Sequence, residues 1–352
     1  MISTTELYTL PAWFSNNGQD TDVVVSTRIR LARNLADHQF PVRASLLEKQ
    51  KLFEEVLRSV RSLRCFDGYE SINFASLEKL DQQILAEKRA VSPDMLRLDG
   101  DRGVVSDAQY KTCVLVNEED HLRIQVMDAG YQPKSIWKTI DKLDTELGKK
   151  LNFAYEEQRG FLTCCPTNAG TGMRVSFLLH LPGLVLTKTI DQVLQGASQM
   201  GVSTRGSFGE HSEVLGNFFQ LSNQTTMGVD EREVLESMIS VIDRVIQFER
   251  TARERILTEA RAELSDKVFR AYGMLRYAVT LSLGEMLNLT SALRTGKECG
   301  ILDTISINEL NKTMILCMPA HIQLREGKAM EMEMVGIKRA EIMREFVVGV
   351  QV

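Results

Sequence analysis

A cysteine, a tight turn and an arginine stand close together between residues 164 and 182. This segment reads CCPTNAGTGMRVSFLLHLP, so Cys165 precedes a turn rich in Pro, Asn and Gly, and Arg174 follows on an alternating, strand-like run. Such a turn can offer backbone N–H groups and a fixed guanidinium to an anion, with a potential thiolate beside them. Taken alone, Cys165 is also explained as a small buried hydrophobic residue, and this is the only interpretation for Cys164.

Two arginines stand two residues apart in the segment STRIR, residues 26–30. On a strand this spacing places the guanidinium groups of Arg28 and Arg30 on the same face. Two neighbouring cations repel each other and are costly to bury unless an anion bridges them. The pair is compatible with an anion site, although solvated surface arginines are the more common explanation for an isolated pair of this kind.

Two further segments combine carboxylates with an arginine. Residues 118–123 read EEDHLR, an acidic turn that opens a strand and carries Glu119 and Arg123. Residues 205–213 read RGSFGEHSE, a loop hinged by glycine with Arg205 at its start and Glu210 inside. The loop can close over a bound ligand and bring in a second carboxylate. An ordinary acidic turn and a flexible connection are the alternatives when each segment is considered alone.

Five segments in this order resemble the phosphagen (guanidino) kinases, which transfer a phosphoryl group from ATP to a guanidinium nitrogen. They are STRIR (26–30), NEEDHLRI (117–124), CPTN (165–168), RGSFGEHSE (205–213) and GNFFQLSNQTTMG (216–228). The resemblance implies that Glu119 holds the acceptor guanidinium and is the candidate base. It implies that Glu210 contacts the same group and that Cys165 lies against it. General-base catalysis suits this reaction because a guanidinium is a poor nucleophile while it is protonated.

The resemblance also implies that ATP binds among the arginines. It assigns nucleotide binding to Ser26, Arg28, Arg30, Arg123, Arg174 and Arg205. Arginine suits planar, bidentate recognition of phosphate, and phosphoryl transfer depends mainly on positioning and charge neutralisation. An arginine cradle, with Mg²⁺ bound through the nucleotide and no metal site in the protein, meets that need. The chain lacks the Walker string GxxxxGK[ST] and the HRD and DFG strings, which disfavours the other large kinase classes.

The position of these segments in the chain narrows the resemblance. STRIR begins at Ser26, whereas animal-type phosphagen kinases carry a helical domain before it, and here a helical tail follows instead. This arrangement is similar to the bacterial protein arginine kinases, as are residues 77–93 and 318–324. We therefore expect an ATP-dependent kinase of arginine residues in proteins. A kinase of free arginine or another small guanidino compound, and a catalytically weak adaptor with the same fold, are the alternatives.

Three stretches differ from the sequence patterns of the bacterial protein arginine kinases or of the small-substrate kinases. Residues 335–340 read VGIKRA where protein arginine kinases often carry an RDxxRA-like string that binds phosphoarginine, so we expect that regulatory site to be lost or altered. His211 gives GEHSE, which is closer to the kinases of small guanidino compounds. Residues 224–226 lack the basic pair that those small-substrate enzymes show.

The composition is that of an ordinary globular protein. The 352 residues favour two domains, and the formal net charge of −5 argues against general nucleic-acid binding. Six cysteines without CxxC spacing indicate reduced thiols, and the chain shows neither a secretory signal pattern nor a long apolar run. We expect a cytoplasmic homodimer that acts on proteins with exposed arginine, with an activator or protease-chaperone proteins as further partners and with no membrane association.

Apolar periodicity predicts the fold that must position these residues. We expect an α+β domain over residues 1–235, mainly an antiparallel sheet flanked by helices, followed by a smaller all-α domain over residues 236–352. Within the first domain the patterns predict helices at 45–63, 75–89, 133–149 and 184–200, a hairpin of 111–117 with 121–128, and strands at 173–181 and 214–221. In the tail they predict helices at 229–264 and near 266–296, 305–317 and 326–349.

Overall fold

A computed structural model describes residues 10–206 and 214–349. The strands in these ranges are β1 Val24–Arg33, β2 Glu70–Asn73, β3 Gly103–Ser106, β4 Thr112–Val116, β5 Leu122–Ala129, β6 Tyr155–Glu156, β7 Gly160–Phe161, β8 Met173–His180, β9 Val202–Gly206 and β10 Phe218–Asn223. The α-helices are α1 Leu46–Arg61, α2 Lys79–Glu87, α3 Pro133–Gly148, α4 Pro182–Leu186, α5 Ile190–Gln199, α6 Glu231–Glu259, α7 Arg261–Tyr277, α8 Leu283–Glu298, α9 Ile307–Leu316, α10 Pro319–Glu326 and α11 Met332–Val348.

Eight of these strands form one sheet in the order β2-β3-β4-β5-β1-β8-β10-β9, and β6 pairs with β7. The predicted hairpin is confirmed, because β4 and β5 pair antiparallel about the turn at 117–121. Strands β1 and β5 also pair antiparallel, with Ser26 opposite Ala129 and Arg33 opposite Leu122. The predicted fold class, an α+β arrangement with a helical C-terminal part, is confirmed.

Two compact units divide the chain. The first comprises Met1–Trp13, Ser26–Phe177 and Ser222–Ser240, and the second comprises Phe14–Val25, Leu178–Leu221 and Val241–Val352. Strands β1, β8 and β10 and helix α6 each run through a boundary between these segments. The division of the sequence at residues 235 and 236 follows chain order alone and stays a prediction.

Two of the predicted helices, α1 and α3, lie in the first unit. The Ser45 side chain accepts a hydrogen bond from the Glu48 N–H, and the Glu48 carboxylate accepts one from the Ser45 N–H, so a capping box begins α1. Helix α3 buries Ile136, Ile140 and Leu147 along one stripe. Both helices form because their apolar side chains recur at the helical period and cover a buried face.

Several predicted boundaries of helices and strands are wrong. The helix predicted over 184–200 is two helices, because the Thr187 hydroxyl bonds the carbonyl four residues earlier and Lys188 adopts a φ of 58°. The segment near 266–296 is also two helices, and the Ser282 hydroxyl caps the second by accepting from the Glu285 N–H. The helix predicted over 75–89 is confined to α2, and the strand predicted at 214–221 is shifted to β10. Local hydrogen bonds of hydroxyl side chains decide the helix breaks, and apolar periodicity does not register them.

A buried ion pair anchors α4 in the second unit. The Glu249 carboxylate accepts from the backbone N–H groups of Gly183, at 2.8 Å, and Leu184, at 3.0 Å. The Arg253 Nε donates to the same carboxylate at 2.6 Å. A carboxylate at a helix N-terminus satisfies N–H groups that have no partner within the helix, so Glu249 fixes the start of this short helix.

The turn between β7 and β8, residues 163–172, is held from two sides within the first unit. The Thr226 hydroxyl donates to the carbonyls of Thr167, at 3.0 Å, and Ala169, at 2.7 Å. The Thr171 N–H donates to the Thr226 carbonyl at 2.9 Å, and Arg33 donates to the Thr171 carbonyl at 2.9 Å. The turn that carries Cys165 is therefore built into the sheet.

The surroundings of Gly170 show how closely this turn packs against Thr226. Its φ is +101°, and a Cβ at this position would lie 2.2 Å from the Thr226 carbonyl oxygen. We expect Gly170→Ala to lower the free energy of unfolding by about 3–4 kcal/mol, because both backbone strain and a clash with main chain result. Gly228→Ala is the matched control, since Gly228 also has a positive φ but open space around it. Gly228→Ala should lower the free energy of unfolding by about 1–2 kcal/mol, with both variants measured by urea titration. Equal losses would contradict the close fit.

Candidate active site

One face of the sheet in the first unit carries three of the predicted arginines. In the pairing of β1 with β5, Ala32 lies opposite Arg123. Arg28 and Arg30 precede Ala32 by four and two residues on β1, so all these side chains project from the same face. The prediction that Arg28 and Arg30 share a face is confirmed, and Arg123 lies on that face as well.

The adjacent strand β8 adds a fourth guanidinium. The Arg28 Nε donates to the Ser176 hydroxyl at 3.3 Å, and Arg174 lies two residues before Ser176 on the same face of β8. The Arg174 guanidinium donates to the Ser222 hydroxyl, from Nη2 at 2.9 Å and from Nε at 3.2 Å. Ser222 belongs to the Ser-Asn pair of the sequence, and its hydroxyl orients Arg174.

We call the face that carries Arg28, Arg30, Arg123 and Arg174 the arginine face. Its positive charge is only partly balanced by neighbouring carboxylates. Burial lowers the pKa of Arg28 to about 9 and holds that of Arg30 well below its ordinary value. Repulsion from Arg123 and Arg174 lowers both further, and the Glu118 carboxylate opposes this effect. Among the described residues, the buried Arg30 Nε has no hydrogen-bond partner. A bound polyanion would relieve both the repulsion and the unsatisfied donor.

Arg89 belongs to this group, although the sequence did not single it out. Its charge acts on Arg28 and lowers the Arg28 pKa, and burial lowers its own pKa to about 10. The guanidinium lies 4.8 Å from the centre of the Trp13 ring, and the Gln125 side chain donates to the Arg89 carbonyl at 2.9 Å. A positive φ of 59° turns the chain at this residue. No spacing rule connects Arg89 to β1, because the contact depends on the packing of the turn after α2.

Glu118 and Arg123 form a buried pair beside these cations. The Arg123 Nη1 lies 2.6 Å from the Glu118 carboxylate, whose side chain is 2% exposed. The Ser92 hydroxyl also donates to this carboxylate. Because Glu118 fixes the Arg123 guanidinium from one side, Arg123 is held in place on the arginine face.

Glu119 and Cys165 lie side by side at the edge of the arginine face. The Glu119 carboxylate lies 3.5 Å from the Arg123 Nη2, and the Cys165 side chain is close enough to act on its ionisation. The Cys165 Sγ lies 3.0 Å from the Thr167 hydroxyl. Burial raises the pKa of Glu119, with repulsion from Asp120 as a further cause and Arg123 acting in the opposite direction. A half-exposed carboxylate with a raised pKa, beside a thiol, suits a cationic ligand that gives up a proton.

A hydrogen-bond network holds the turn of Glu119 against the turn that carries the cysteines. The Asp120 carboxylate accepts from the Asn34 side chain and from the Cys164 N–H, both at 2.7 Å. The Asn34 side-chain oxygen accepts from the His121 N–H at 2.8 Å. Burial raises the pKa of Cys164 to about 12, so this thiol stays neutral. Cys164 therefore supports the site and does not supply a thiolate.

His121 ties the same turn to the segment after β1. Its Nδ1 accepts from the Leu35 N–H at 3.0 Å, so Nε2 carries the proton that is donated to the Gln39 carbonyl at 2.9 Å. This pair of contacts requires the neutral ring, and burial lowers the pKa of His121 to about 4. His121 thus supports the turn of Glu119 through hydrogen bonds.

Two further predicted nucleotide-binding residues are described by the structure. Ser26 is buried on β1, two residues before Arg28 and on the same face of the strand. Arg205 is partly exposed on β9 in the second unit. Glu210 and His211 lie outside the described residues. The structure thus brings together Arg28, Arg30, Arg123, Arg174, Glu119 and Cys165, all within the first unit. Among residues 10–206 and 214–349, no group of three His, Cys, Asp or Glu side chains could hold a metal ion.

The stretch 335–340 lies in α11 and is packed closely. Val335 is fully buried, and a Cβ on Gly336 would lie 2.8 Å from the Thr280 hydroxyl. The Arg339 guanidinium donates to the carbonyls of Cys317, at 2.9 Å, and Leu281, at 2.8 Å. A large side chain at position 336 would displace these neighbours, so the departure from RDxxRA is part of the packing here.

Comparison with known proteins decides the family. The model of the ATP:guanido phosphotransferase C-terminal catalytic domain matches residues 50–252. The chain belongs to the ATP:guanido phosphotransferase family. The model of the protein-arginine kinase McsB C-terminal domain matches residues 261–351. Family membership makes this chain an enzyme that transfers a phosphoryl group to guanidino nitrogens and implies ATP as the donor.

Relatives and solved structures of the family agree. The chain is 38% identical to a protein-arginine kinase of Brevibacillus brevis over 95% of this chain and 94% of that protein. It is 37% identical to a protein-arginine kinase of Halothermothrix orenii over 95% and 96%. A taurocyamine kinase of Schistosoma mansoni has a TM-score of 0.60 at 26% identity, over 71% of this chain and only 36% of that one. A lombricine kinase structure, at 20% identity and a TM-score of 0.60, shares the fold over 68% of this chain and 71% of its own.

No helix in the described part of the chain is both long and apolar enough to cross a membrane.

The neutral state of His121 predicts a pH dependence of stability. Its pKa is lowered from 6.5 to about 4 in the folded protein, so the unfolded chain binds the proton more readily between these values. His121 therefore stabilises the fold above pH 6.5, and this contribution of about 3 kcal/mol is lost as the pH falls towards 4. In His121→Gln the unfolding free energy should fall less steeply over that range, measured by urea titration at several pH values. The other buried histidines are present in both the wild type and the variant, so their contributions to the pH dependence cancel in the comparison. Parallel curves would contradict the assignment.

Proposed function

We propose that this enzyme is a protein-arginine kinase, which transfers the γ-phosphoryl group of Mg-ATP to the guanidino group of arginine residues in proteins. The observation that carries the proposal is the Glu119–Cys165 pair at the edge of an under-neutralised arginine face. The C-terminal match and the similarity to proteins named protein-arginine kinases over nearly their whole length support a polypeptide acceptor.

The arginine face is proposed to bind the phosphates of the nucleotide. Arg28, Arg30, Arg123 and Arg174 offer guanidinium groups from three neighbouring strands, and Arg89 adds charge from the turn after α2. Since phosphoryl transfer is limited by charge and geometry, fixed cations around the phosphates lower its barrier. Arg205 and Ser26 complete the proposed nucleotide-binding set. Mg²⁺ would neutralise part of the phosphate charge while held by nucleotide oxygens and water.

Glu119 is proposed as the base on the acceptor side. The arginine nitrogen of the substrate attacks the γ-phosphorus, the N–P bond forms, and the bond from phosphorus to the ADP oxygen breaks. The guanidinium loses one proton, and the Glu119 carboxylate accepts it. Cys165 contacts the guanidinium beside Glu119, and Glu210 is the second carboxylate in this proposal. The raised pKa of Glu119 brings its basicity closer to that needed near neutral pH.

The cellular setting is part of the same proposal. All six cysteines are free thiols, which fits a reducing, cytoplasmic location. A homodimer, an activator and protease-chaperone proteins are proposed partners on the strength of the resemblance to bacterial protein arginine kinases.

The acceptor class can be tested directly. Purified enzyme is incubated with Mg-ATP and either free L-arginine or an unfolded protein rich in arginine, and acid-labile phosphate is measured on each. We expect label on the protein, because the relatives that match over nearly the full chain are named for that acceptor. Label on free arginine alone would establish the small-guanidine alternative. Absence of label from both acceptors would favour the adaptor.

The role of Glu119 predicts a change in turnover without a loss of nucleotide binding. Glu119→Gln keeps the shape of the side chain but removes the base, so kcat should fall by about 10²–10⁴-fold. The affinity for ATP should be kept, since the variant removes a negative charge beside Arg123. The acidic limb of the pH–rate profile should also disappear. Glu146→Gln, on the last turn of α3, is the matched control and should behave as wild type. Full turnover in Glu119→Gln would show that another group accepts the proton.

A further inference from the structure

Three large apolar side chains are exposed within six residues of the first unit. They are Val42, Leu46 and Leu47, with 83%, 64% and 59% of their surface exposed, and together they form what we call the 42–47 surface. Single exposed apolar residues are common on globular proteins and need no explanation. A group of three such residues on one short segment is characteristic of a contact surface.

The 42–47 surface adjoins the proposed acceptor site. The His121 Nε2 donates to the Gln39 carbonyl at 2.9 Å, and His121 follows Glu119 by two residues in the same turn. Val42 follows Gln39 by three residues, so its exposed side chain lies beside the turn that carries the acid proposed to receive the acceptor guanidinium.

The segment that carries this surface is anchored on both sides. The His121 Nε2 donates to the Gln39 carbonyl at 2.9 Å, and the Phe40 ring lies 5.9 Å from the His121 ring. The Arg43 N–H donates to the Phe40 carbonyl at 2.8 Å, and the Ser45 capping box fixes the start of α1. The apolar side chains are therefore presented to solvent in fixed positions by the same His121 contacts that hold the turn of Glu119.

We propose that the 42–47 surface binds the polypeptide that flanks the acceptor arginine and favours apolar side chains there. This inference rests on the proposed protein-arginine kinase activity. When an arginine side chain reaches Glu119, its own main chain must lie within one side-chain length of that carboxylate, next to Val42. Neighbouring substrate residues then cover Val42, Leu46 and Leu47 and remove apolar area from water. A small guanidino substrate has no such residues, so the surface acts only on polypeptides.

Flanking-residue kinetics test this surface. The acceptors are a blocked pentapeptide with leucine on both sides of a central arginine, the same peptide with serine at both positions, and Nα-acetylarginine amide. We expect wild type to prefer the leucine peptide by about tenfold in kcat/KM, which corresponds to the partial burial of two leucines. In the triple variant Val42→Ser, Leu46→Ser and Leu47→Ser this preference should fall to about twofold or less. Activity on Nα-acetylarginine amide should be unchanged, because the acid–thiol pair is intact.

Val279→Ser is the matched control, since Val279 is 73% exposed in the second unit and its loss removes a similar apolar side chain. It should keep the tenfold preference. A triple variant that keeps the preference overturns the proposal, as does one that loses activity equally on all three acceptors. Light scattering is run in parallel. A change of mass in the triple variant with an unchanged flank preference would assign the surface to contact between copies instead. Absence of label from every acceptor, wild type included, would refute the protein-arginine kinase activity itself.

Discussion

Repulsion between partly buried like charges is the constraint on which the candidate site depends. Arg28 and Arg30 share one face of β1 with only partial compensation from Glu118, and neither can move away because the strand is paired on both sides. Such an arrangement costs free energy in the absence of an anion. The fold sustains it through the surrounding sheet, the network of Asp120 and Asn34 and the anchored turn of Cys165. The repulsion lowers the stability of the fold locally, and the same arginines are already in position to neutralise a bound polyanion.

Those parts of the site that depend on local spacing could be predicted from the sequence. The period of two in a strand placed Arg28 beside Arg30, and the acidic turn between two apolar runs predicted the β4–β5 hairpin that carries Glu119 and Arg123. The capping box of α1 is likewise encoded within four residues. The ordered motifs of the family then connected these local features to Cys165 and to a common chemistry.

The parts that depend on contacts between distant residues could not be predicted. Arg89 reaches the arginine face only because the turn after α2 packs against Trp13 and Gln125. The interruption at Thr187 follows from a hydroxyl that competes with the helix, which an apolar pattern cannot reveal. The supporting role of Cys164 likewise follows from its contact with Asp120 and not from its position beside Cys165.

The contacts of Arg123 have a consequence for how the two substrates influence each other. One guanidinium projects from the strand proposed to face the nucleotide phosphates and also lies 3.5 Å from the carboxylate of Glu119. Any ligand that draws this cation towards itself weakens the ion pair and alters the proton affinity of the acid. By thermodynamic reciprocity, the ionisation of the acid alters the affinity for that ligand by the same factor. The proposed donor and acceptor sites are therefore coupled through the Arg123 side chain.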